Sequence, residues 1–182
     1  DGFVDPFVAA YGQDRLWMNL GDGTFSEVTV TAGILGNAWG TSAAFADFDG
    51  DGLLDLYVAN YVEWLPEDPQ CHPPEHPEIS SVCSPMTRLG QADQLYHNLG
   101  DGRFSESGAE AGVANTEDGK GLALAVSDFN RDGQLDVYVA NDTTRNFLYL
   151  NTGRLRFEES GVLQGVAMSS DGILGAGMGV GC

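Results

Sequence analysis

Runs of small or apolar residues recur along the chain, and each is followed by a cluster of acidic residues. Gly40 opens "GTSAAFAD" and Gly121 opens "GLALAVSD", and in both the first aspartate comes seven positions after the glycine. An acidic loop comes next and is followed by an apolar run, "LDLYVAN" or "LDVYVAN". Neither run shows the 3.6-residue period of an amphipathic helix. The pattern therefore predicts pairs of β-strands joined by an acidic loop.

A third strand and a tight turn follow in each repeat. The strand is seen as "RLWMNL", "QLYHNL" and "FLYLN", and the turn as "NLGDGTF" at Asn19, "NLGDGRF" at Asn98 and "NTGRLRF" at Asn151. Asp-Gly between apolar runs predicts a type I′ turn, in which both central residues have positive φ. Arg154 and Leu155 replace Asp-Gly in the third turn, which leaves its type open. A fourth short strand carries a phenylalanine in each repeat: Phe25, Phe104 and Phe157.

Four short strands in repeats of roughly 40 to 60 residues are typical of a β-propeller blade. We therefore predict an all-β fold of four-stranded antiparallel blades, with a β-solenoid or a sandwich as the alternatives. About three blades are expected, with the chain cut inside a repeat at both ends. The predicted divisions are a partial blade over 1–39, a blade over 40–120 with an insert at 62–93, a blade over 121–176, and the first strand of a further blade over 177–182.

Each full acidic loop has the spacing D-x-[DN]-x-D-G-x-x-D. Alternate side chains of such a loop converge on one point, and the glycine at the sixth position allows the sharp turn. Carboxylates this close repel one another without a cation, and all-oxygen ligation favours Ca²⁺ over Zn²⁺. The predicted ligands are Asp47, Asp49, Asp51, the carbonyl of Leu53 and Asp55 in the first loop, and Asp128, Asn130, Asp132, the carbonyl of Gln134 and Asp136 in the second.

The same register in two loops favours calcium over the alternative of solvated Asp-Gly turns. The loop is not an EF-hand, because Val58 and Val139 stand where that motif needs a bidentate glutamate. At the N-terminus "DGFVDPFVA" repeats only the second half of the motif, which gives a partial set of Asp1, Phe3 and Asp5. We expect the cation to join the first two strands of a blade as a structural staple.

These residues resemble the FG-GAP/VCBS-type calcium repeats of integrin α-chain propellers. The match is closest to the ASPIC/UnbV group, the secreted bacterial relatives of cartilage acidic protein. The similarity covers essentially the whole chain and includes "GKGLALAVSDFNRDGQLDVYVANDTTRNFLYLN", "NLGDGRFSE" and "GAGMGV". It implies an extracellular or periplasmic, calcium-bound propeller that is usually part of a longer chain. The truncated first loop and "NTGRLRF" depart from the pattern.

The stretch 62–93 interrupts the repeat. Six of its residues between positions 66 and 85 are prolines, which exclude a regular helix or a central strand. Cys71 and Cys83 close a loop of about a dozen residues, for which a disulfide would be worth about 3 kcal/mol. The alternatives are free thiols or a metal site that adds His72 and His76, although this spacing fits no standard zinc pattern. Cys182 is expected to be free or paired outside this chain.

The charge balance limits the function. Asp and Glu number 27 against 8 Lys and Arg, a formal charge of −19. Nucleic-acid binding needs clustered cations, so that class is excluded, and an anionic membrane surface is disfavoured. No apolar run approaches the ~20 residues of a membrane helix, so no membrane insertion is predicted. No Gly-x-Ser-x-Gly, P-loop or His-Glu-x-x-His motif occurs either.

We therefore predict a non-enzymatic, secreted or periplasmic calcium-binding scaffold for adhesion or partner binding. The partner is expected to be an extracellular protein or carbohydrate, and Trp17, Trp39 and Trp64 could serve either a binding face or the blade cores. The alternatives are a propeller domain of a polysaccharide-acting enzyme and a repeat subunit of a surface filament or layer. Because a strand edge left unpaired at each end would promote aggregation, we expect either a longer polypeptide or self-assembly, with the strand near Gly177 beside that near Phe3 of the next copy.

Overall fold

The computed structural model describes residues 2–68, 70–81, 83–115 and 119–181, so Asp1 and Cys182 lie outside the described residues. The prediction of an all-β protein with blade-like sheets is confirmed. The strands form three sheets, and within each sheet every strand pairs antiparallel with the next one along the chain. The first sheet contains β1 (Phe7–Val8), β2 (Arg15–Asn19) and β3 (Phe25–Glu27). The second sheet contains β4 (Gly40–Ala46), β5 (Asp55–Asn60), β6 (Gln94–Asn98) and β7 (Phe104–Glu106). The third sheet contains β8 (Gly121–Ser127), β9 (Asp136–Asn141), β10 (Phe147–Asn151) and β11 (Phe157–Glu159).

The second and third sheets begin with the same strand pairing. Ala46 pairs with Asp55 at the end of β4, and Ser127 pairs with Asp136 at the end of β8. Both ladders are irregular after their first glycine, Gly40 or Gly121. The acidic stretches at 47–54 and 128–135 therefore join the first two strands of their sheets, as the repeats predict.

The hydrophobic cores lie between neighbouring sheets. Successive side chains of a strand point to opposite faces, and β5 is buried on both. Leu56 and Val58 belong to a core shared with the first sheet, whereas Tyr57 and Ala59 belong to one shared with the third. The three sheets therefore stack face to face in chain order, like consecutive propeller blades.

Small residues let the inner strands of the second and third sheets come close together. The Thr41 hydroxyl donates a hydrogen bond to the Gly121 carbonyl at 2.7 Å. A Cβ atom on Gly121 would lie only 3.0 Å from Ala59 Cβ and 3.1 Å from Val139 Cγ1. This explains why β4 and β8 are rich in glycine, alanine and serine.

The turns between the third and fourth strands differ from the type I′ prediction. In the first two turns the positive φ angles belong to the glycines on either side of Asp22 and Asp101, and not to these aspartates. Leu20 N and Leu99 N donate across three-residue loops to Thr24 O and Arg103 O. In the third turn, which lacks Asp-Gly, Arg154 and Leu155 both have positive φ, 57° and 54°.

The Pro-rich insert folds as an irregular loop attached to the second sheet. Its helical content in the described residues is one 3-10 turn, Pro85–Thr87, and an isolated bridge pairs Val62 with Gly90. The predicted disulfide between Cys71 and Cys83 is confirmed, which excludes these cysteines as metal ligands. Outside the insert, a four-residue helix α1 (Gly108–Ala111) follows β7. Within the described ranges, no helix is long and apolar enough to cross a bilayer.

Candidate metal centre

The first acidic loop curls around the carboxylate of its first aspartate. Asp47 Oδ1 accepts a hydrogen bond from Gly50 N at 2.8 Å, and Oδ2 accepts one from Gly52 N at 3.0 Å. Gly50 and Gly52 have φ angles of 79° and 88°, in the left-handed region that favours glycine. This turn places one oxygen each of Asp47, Asp49 and Asp55 within 4.8 Å of one another.

These three carboxylates fit a calcium ion. Oxygens that each lie about 2.3 to 2.6 Å from one Ca²⁺ are separated by at most about 5 Å, and the observed grouping meets that limit. Asp51 instead belongs to a second group with Asp49 and His97, in which His97 Nε2 lies 3.2 Å from Asp49 Oδ2. Over the described ranges, both groups of three or more acidic, histidine or cysteine ligands lie at this loop.

The second loop repeats the turn with a different ligand at its third position. Asp128 Oδ2 accepts from Gly133 N at 2.9 Å, as Asp47 does from Gly52. Asn130 takes the place of Asp49, and its Nδ2 donates to Asp132 Oδ2 at 2.8 Å. Arg131, with φ 65°, replaces Gly50, at a cost of about 1–2 kcal/mol for a residue with a Cβ atom. This loop therefore offers one carboxylate fewer than the first.

The ninth residue of each loop also binds the backbone of its own sheet. Asp55 is fully buried; its Oδ2 accepts from Phe48 N at 3.1 Å, and its Oδ1 accepts from Asn98 N at 2.9 Å. Burial raises the pKa of the Asp55 carboxyl, and these two hydrogen bonds oppose that increase. A cation at the loop would also favour the ionised form. Asp136 makes the equivalent bonds to Phe129 N and Asn151 N.

Sequence reasoning missed the asparagine that begins the turn between the last two strands of each sheet, which we call the outer turn. In all three sheets it donates its backbone N–H to the ninth-position aspartate, and its side-chain oxygen accepts from the glycine two residues later. The signal was present, because the same residue opens "NLGDGTF", "NLGDGRF" and "NTGRLRF". The three contacts to aspartate are Asn19–Asp5 at 2.7 Å, Asn98–Asp55 at 2.9 Å and Asn151–Asp136 at 2.9 Å.

The seventh residue of each loop lies against the outer turn of its sheet. A Cβ atom on Gly100 would lie 3.2 Å from Leu53 Cδ1, and one on Gly153 would lie 3.1 Å from Gln134 Oε1. Phe3 covers the equivalent glycine of the first sheet. Leu53, Gln134 and Phe3, the three residues at the loop position predicted to supply a carbonyl ligand, therefore all have side chains that lie beside the turn.

Comparison with known proteins agrees with this repeat geometry. The model of the FG-GAP-like repeat family matches residues 1–58 and 77–139. Human cartilage acidic protein 1 is 29% identical over 172 residues, and the mouse protein 28%, each alignment covering 73% of this chain and 26% of the relative. The Xenopus tropicalis protein is 42% identical over 69 residues, which cover 36% of this chain and 10% of that protein.

The chain thus spans about a quarter of the length of the human and mouse relatives that it matches. The family match covers well over half of its residues and includes both acidic loops. On these grounds the chain belongs to the FG-GAP-like repeat family and is related to cartilage acidic protein 1.

Proposed function

We propose that this chain is a non-enzymatic, calcium-binding propeller scaffold of an extracellular or periplasmic space, where it serves adhesion or partner binding. The observation that carries the proposal is the convergence of Asp47, Asp49 and Asp55 at the connection between β4 and β5. The second loop, from Asp128 to Asp136, repeats the register at the equivalent connection. Two loops of the same register at equivalent connections of neighbouring sheets support a role of the metal in the architecture of the repeat.

The position of the loop supports a structural role for the cation. Asp55 is at once a predicted ligand, the first residue of β5 and the acceptor for Asn98 at the outer turn. A Ca²⁺ ion at the loop would offset the repulsion among the carboxylates and hold the ends of β4 and β5 together. The metal would thereby stabilise the first two strands of the sheet and the turn that contacts them.

The disulfide and the charge support the proposed location and partners. A bond between Cys71 and Cys83 is expected in an oxidising compartment and is rare in the cytosol. The formal charge of −19 argues against nucleic acids and anionic membranes as partners. The proposed partner is therefore an extracellular protein or carbohydrate. The non-catalytic role is supported by the family and by the name of its relatives, which denotes no enzyme.

Calcium removal tests the proposal. A ligand that binds only the folded state stabilises it by about 2.7 kcal/mol at one hundred times its Kd. For a domain of this size, that corresponds to an increase in Tm of about 5–10 °C. We therefore expect the Tm, followed by circular dichroism, to be higher in about 1 mM CaCl₂ than in EGTA.

Two variants separate the loop from general charge effects. Asp49→Ala, which removes a member of the converging group, should reduce the calcium-dependent increase in Tm to the share of the second loop, whereas Glu67→Ala, which removes an exposed acid of the insert, should preserve it. An equal Tm in calcium and EGTA for the unmodified chain would refute the structural role of the metal. An equal effect of the two substitutions would show that the loop geometry is irrelevant.

A further inference from the structure

A groove lies beside the insert, at the opposite end of the β4–β5 ladder from the first acidic loop. Trp39 directly precedes β4, and Glu63 and Trp64 follow β5 by a few residues. The groove has a volume of about 640 Å³, within the roughly 300–1,000 Å³ of small-molecule sites. Its other walls come from Tyr11 in the first sheet's region and from Arg88 in the insert.

Three aromatic rings form one wall of the groove. Tyr11, Trp39 and Trp64 meet edge to face, with ring centroids 5.3 to 6.3 Å apart. Tyr11 keeps 49% of its surface exposed and Trp64 keeps 40%. The Tyr11 hydroxyl donates to the Trp64 carbonyl at 2.9 Å, which fixes the two residues relative to each other. Large exposed aromatic surface next to a groove is a common feature of binding sites.

The polar groups of the groove include both donors and acceptors. Asn37 and Glu63 are exposed, and Arg88 forms an ion pair with Asp68. Gln91 Oε1 accepts a hydrogen bond from Trp39 N at 2.7 Å, so its amide nitrogen remains available as a donor. The groove therefore offers carboxylate oxygens, amide groups and a guanidinium beside the aromatic surface.

This composition selects an uncharged ligand that is rich in hydroxyl groups. An anion would be repelled by a chain of charge −19 and would find Arg88 already paired with Asp68. A cation would find one exposed carboxylate, Glu63, whose attraction is weak in water. A pyranose ring has apolar C–H faces that stack on aromatic rings, and hydroxyl groups at its edge that both donate and accept hydrogen bonds. Both properties match the groove.

The groove is also held in place by the fold. Glu63 N donates to Leu89 O at 2.9 Å, and the bridge between Val62 and Gly90 joins the two ends of the insert. Binding to a site that is already ordered loses less conformational entropy. We propose that this groove binds a neutral saccharide through stacking on Tyr11 and Trp64. The inference rests on the proposed scaffold function and names the chemical class of its partner.

Titration with neutral oligosaccharides tests the inference. Chitohexaose, cellohexaose and mannohexaose are titrated into the chain in calcium and followed by calorimetry and by tryptophan fluorescence. We expect at least one of them to bind and to change the fluorescence of Trp64. Trp64→Ala should weaken binding about tenfold or more, as expected for an aromatic anchor. The Phe25→Ala variant is the control. Phe25 is 48% exposed, close to the 49% of Tyr11, and it does not line the groove.

Asn37→Ala is a second variant that keeps the aromatic packing intact. It removes one exposed hydrogen-bonding group and should weaken binding by about threefold to tenfold, with an unchanged Tm. Failure of all three sugars to bind would overturn the inference, as would equal binding by the Trp64→Ala variant. Binding of an arginine-rich peptide that is lost in the Trp64→Ala variant would overturn it in favour of a cationic protein partner.

The Tm in calcium and in EGTA is measured on the same sample. A calcium-dependent Tm without saccharide binding would refute the groove and leave the calcium scaffold standing. Saccharide binding without a calcium-dependent Tm would support the groove and refute the metal's structural role.

Discussion

Asp93 is a buried carboxyl group that hydrogen-bonds to neutral groups. Its Oδ1 accepts from Asn60 N at 2.9 Å, and its Oδ2 accepts from the Tyr57 hydroxyl at 2.8 Å. Burial raises the pKa of Asp93 to about 7, and the two hydrogen bonds only partly oppose that increase. The third sheet has Asn146 at the same position, and its Oδ1 accepts from Asn141 N. The contact therefore needs an oxygen acceptor and does not need a charge.

The pKa of Asp93 predicts a pH dependence of stability. The folded-state value lies above the ordinary 3.8, so protonation of Asp93 stabilises the fold at low pH, and this contribution is lost as the pH rises through about 7. Between pH 5 and 8 the loss should be on the order of 2 kcal/mol. Asp93→Asn should remove this decrease in the free energy of unfolding, measured with urea at both pH values.

The matched variant is Asn146→Asp, which places a carboxyl at the equivalent position of the third sheet. This variant should lose additional free energy of unfolding between pH 5 and 8. The added loss should be smaller than that from Asp93, because Asn146 is only partly buried. A decrease between pH 5 and 8 that is identical in the unmodified chain and the Asp93→Asn variant would contradict the assignment.

At the scale of the elements, the outer turns differ in how they contact neighbouring sheets. Asn151 is 1% exposed, and its Nδ2 donates to Leu135 O at 3.1 Å and also to Phe48 O of the second sheet at 2.7 Å. The Asn98 Nδ2 donates to Leu54 O at 2.8 Å, which is equivalent to the bond from Asn151 to Leu135 within its own sheet. The third-sheet turn thus joins two sheets, whereas the second-sheet turn stabilises its own.

This difference predicts unequal costs for the same substitution. Asn151→Ala leaves the Phe48 carbonyl and Gly153 N without their partner and should lower the free energy of unfolding by about 2–3 kcal/mol. Asn98→Ala, at a more exposed position, should cost roughly 1 kcal/mol. Urea unfolding of both variants in calcium measures the difference, and equal costs would show that the contact between sheets adds nothing.

The elements themselves could be predicted from the sequence because the repeats supply the register. Gly40 and Gly121 begin β4 and β8 as predicted, and the acidic loops lie between the predicted strands. The φ angles of the turns could not be predicted in the same way. Asp-Gly fits both a two-residue and a three-residue loop, and the choice depends on the hydrogen bond that closes the turn, such as Leu99 N to Arg103 O.

The acidic loop and the aromatic groove also differ in how far the sequence could predict them. The loop ligands are close in sequence, so their spacing predicts that Asp47 and Asp49 approach each other. The Asp49–His97 contact and the aromatic groove depend on how separate segments pack. Tyr11 and Trp64 lie 53 positions apart, and no local pattern relates them.

At the scale of the whole molecule, the cores between the sheets should make unfolding cooperative. Val139 is fully buried in the core between the second and third sheets. The three tryptophans, Trp17, Trp39 and Trp64, all lie N-terminal to the third sheet. Tryptophan fluorescence therefore reports on the first two sheets, whereas far-UV circular dichroism reports on all three.

Val139→Ala tests this cooperativity. The cavity should cost about 2–3 kcal/mol, and the urea midpoints from fluorescence and from circular dichroism should fall together. Val162→Ala is the control, because this exposed side chain should affect neither midpoint. A fluorescence midpoint that stays at its original value while the dichroism midpoint falls would show that the third sheet unfolds alone.

The disulfide of the insert has a consequence for proteolysis. Glu75 and Glu78 lie exposed between Cys71 and Cys83. A glutamate-specific protease that cut there would produce two polypeptides still joined by a covalent bond. The strands on either side of the insert, β5 and β6, pair directly with each other, so the nicked protein would keep its sheet and would separate into two pieces only when reduced and unfolded.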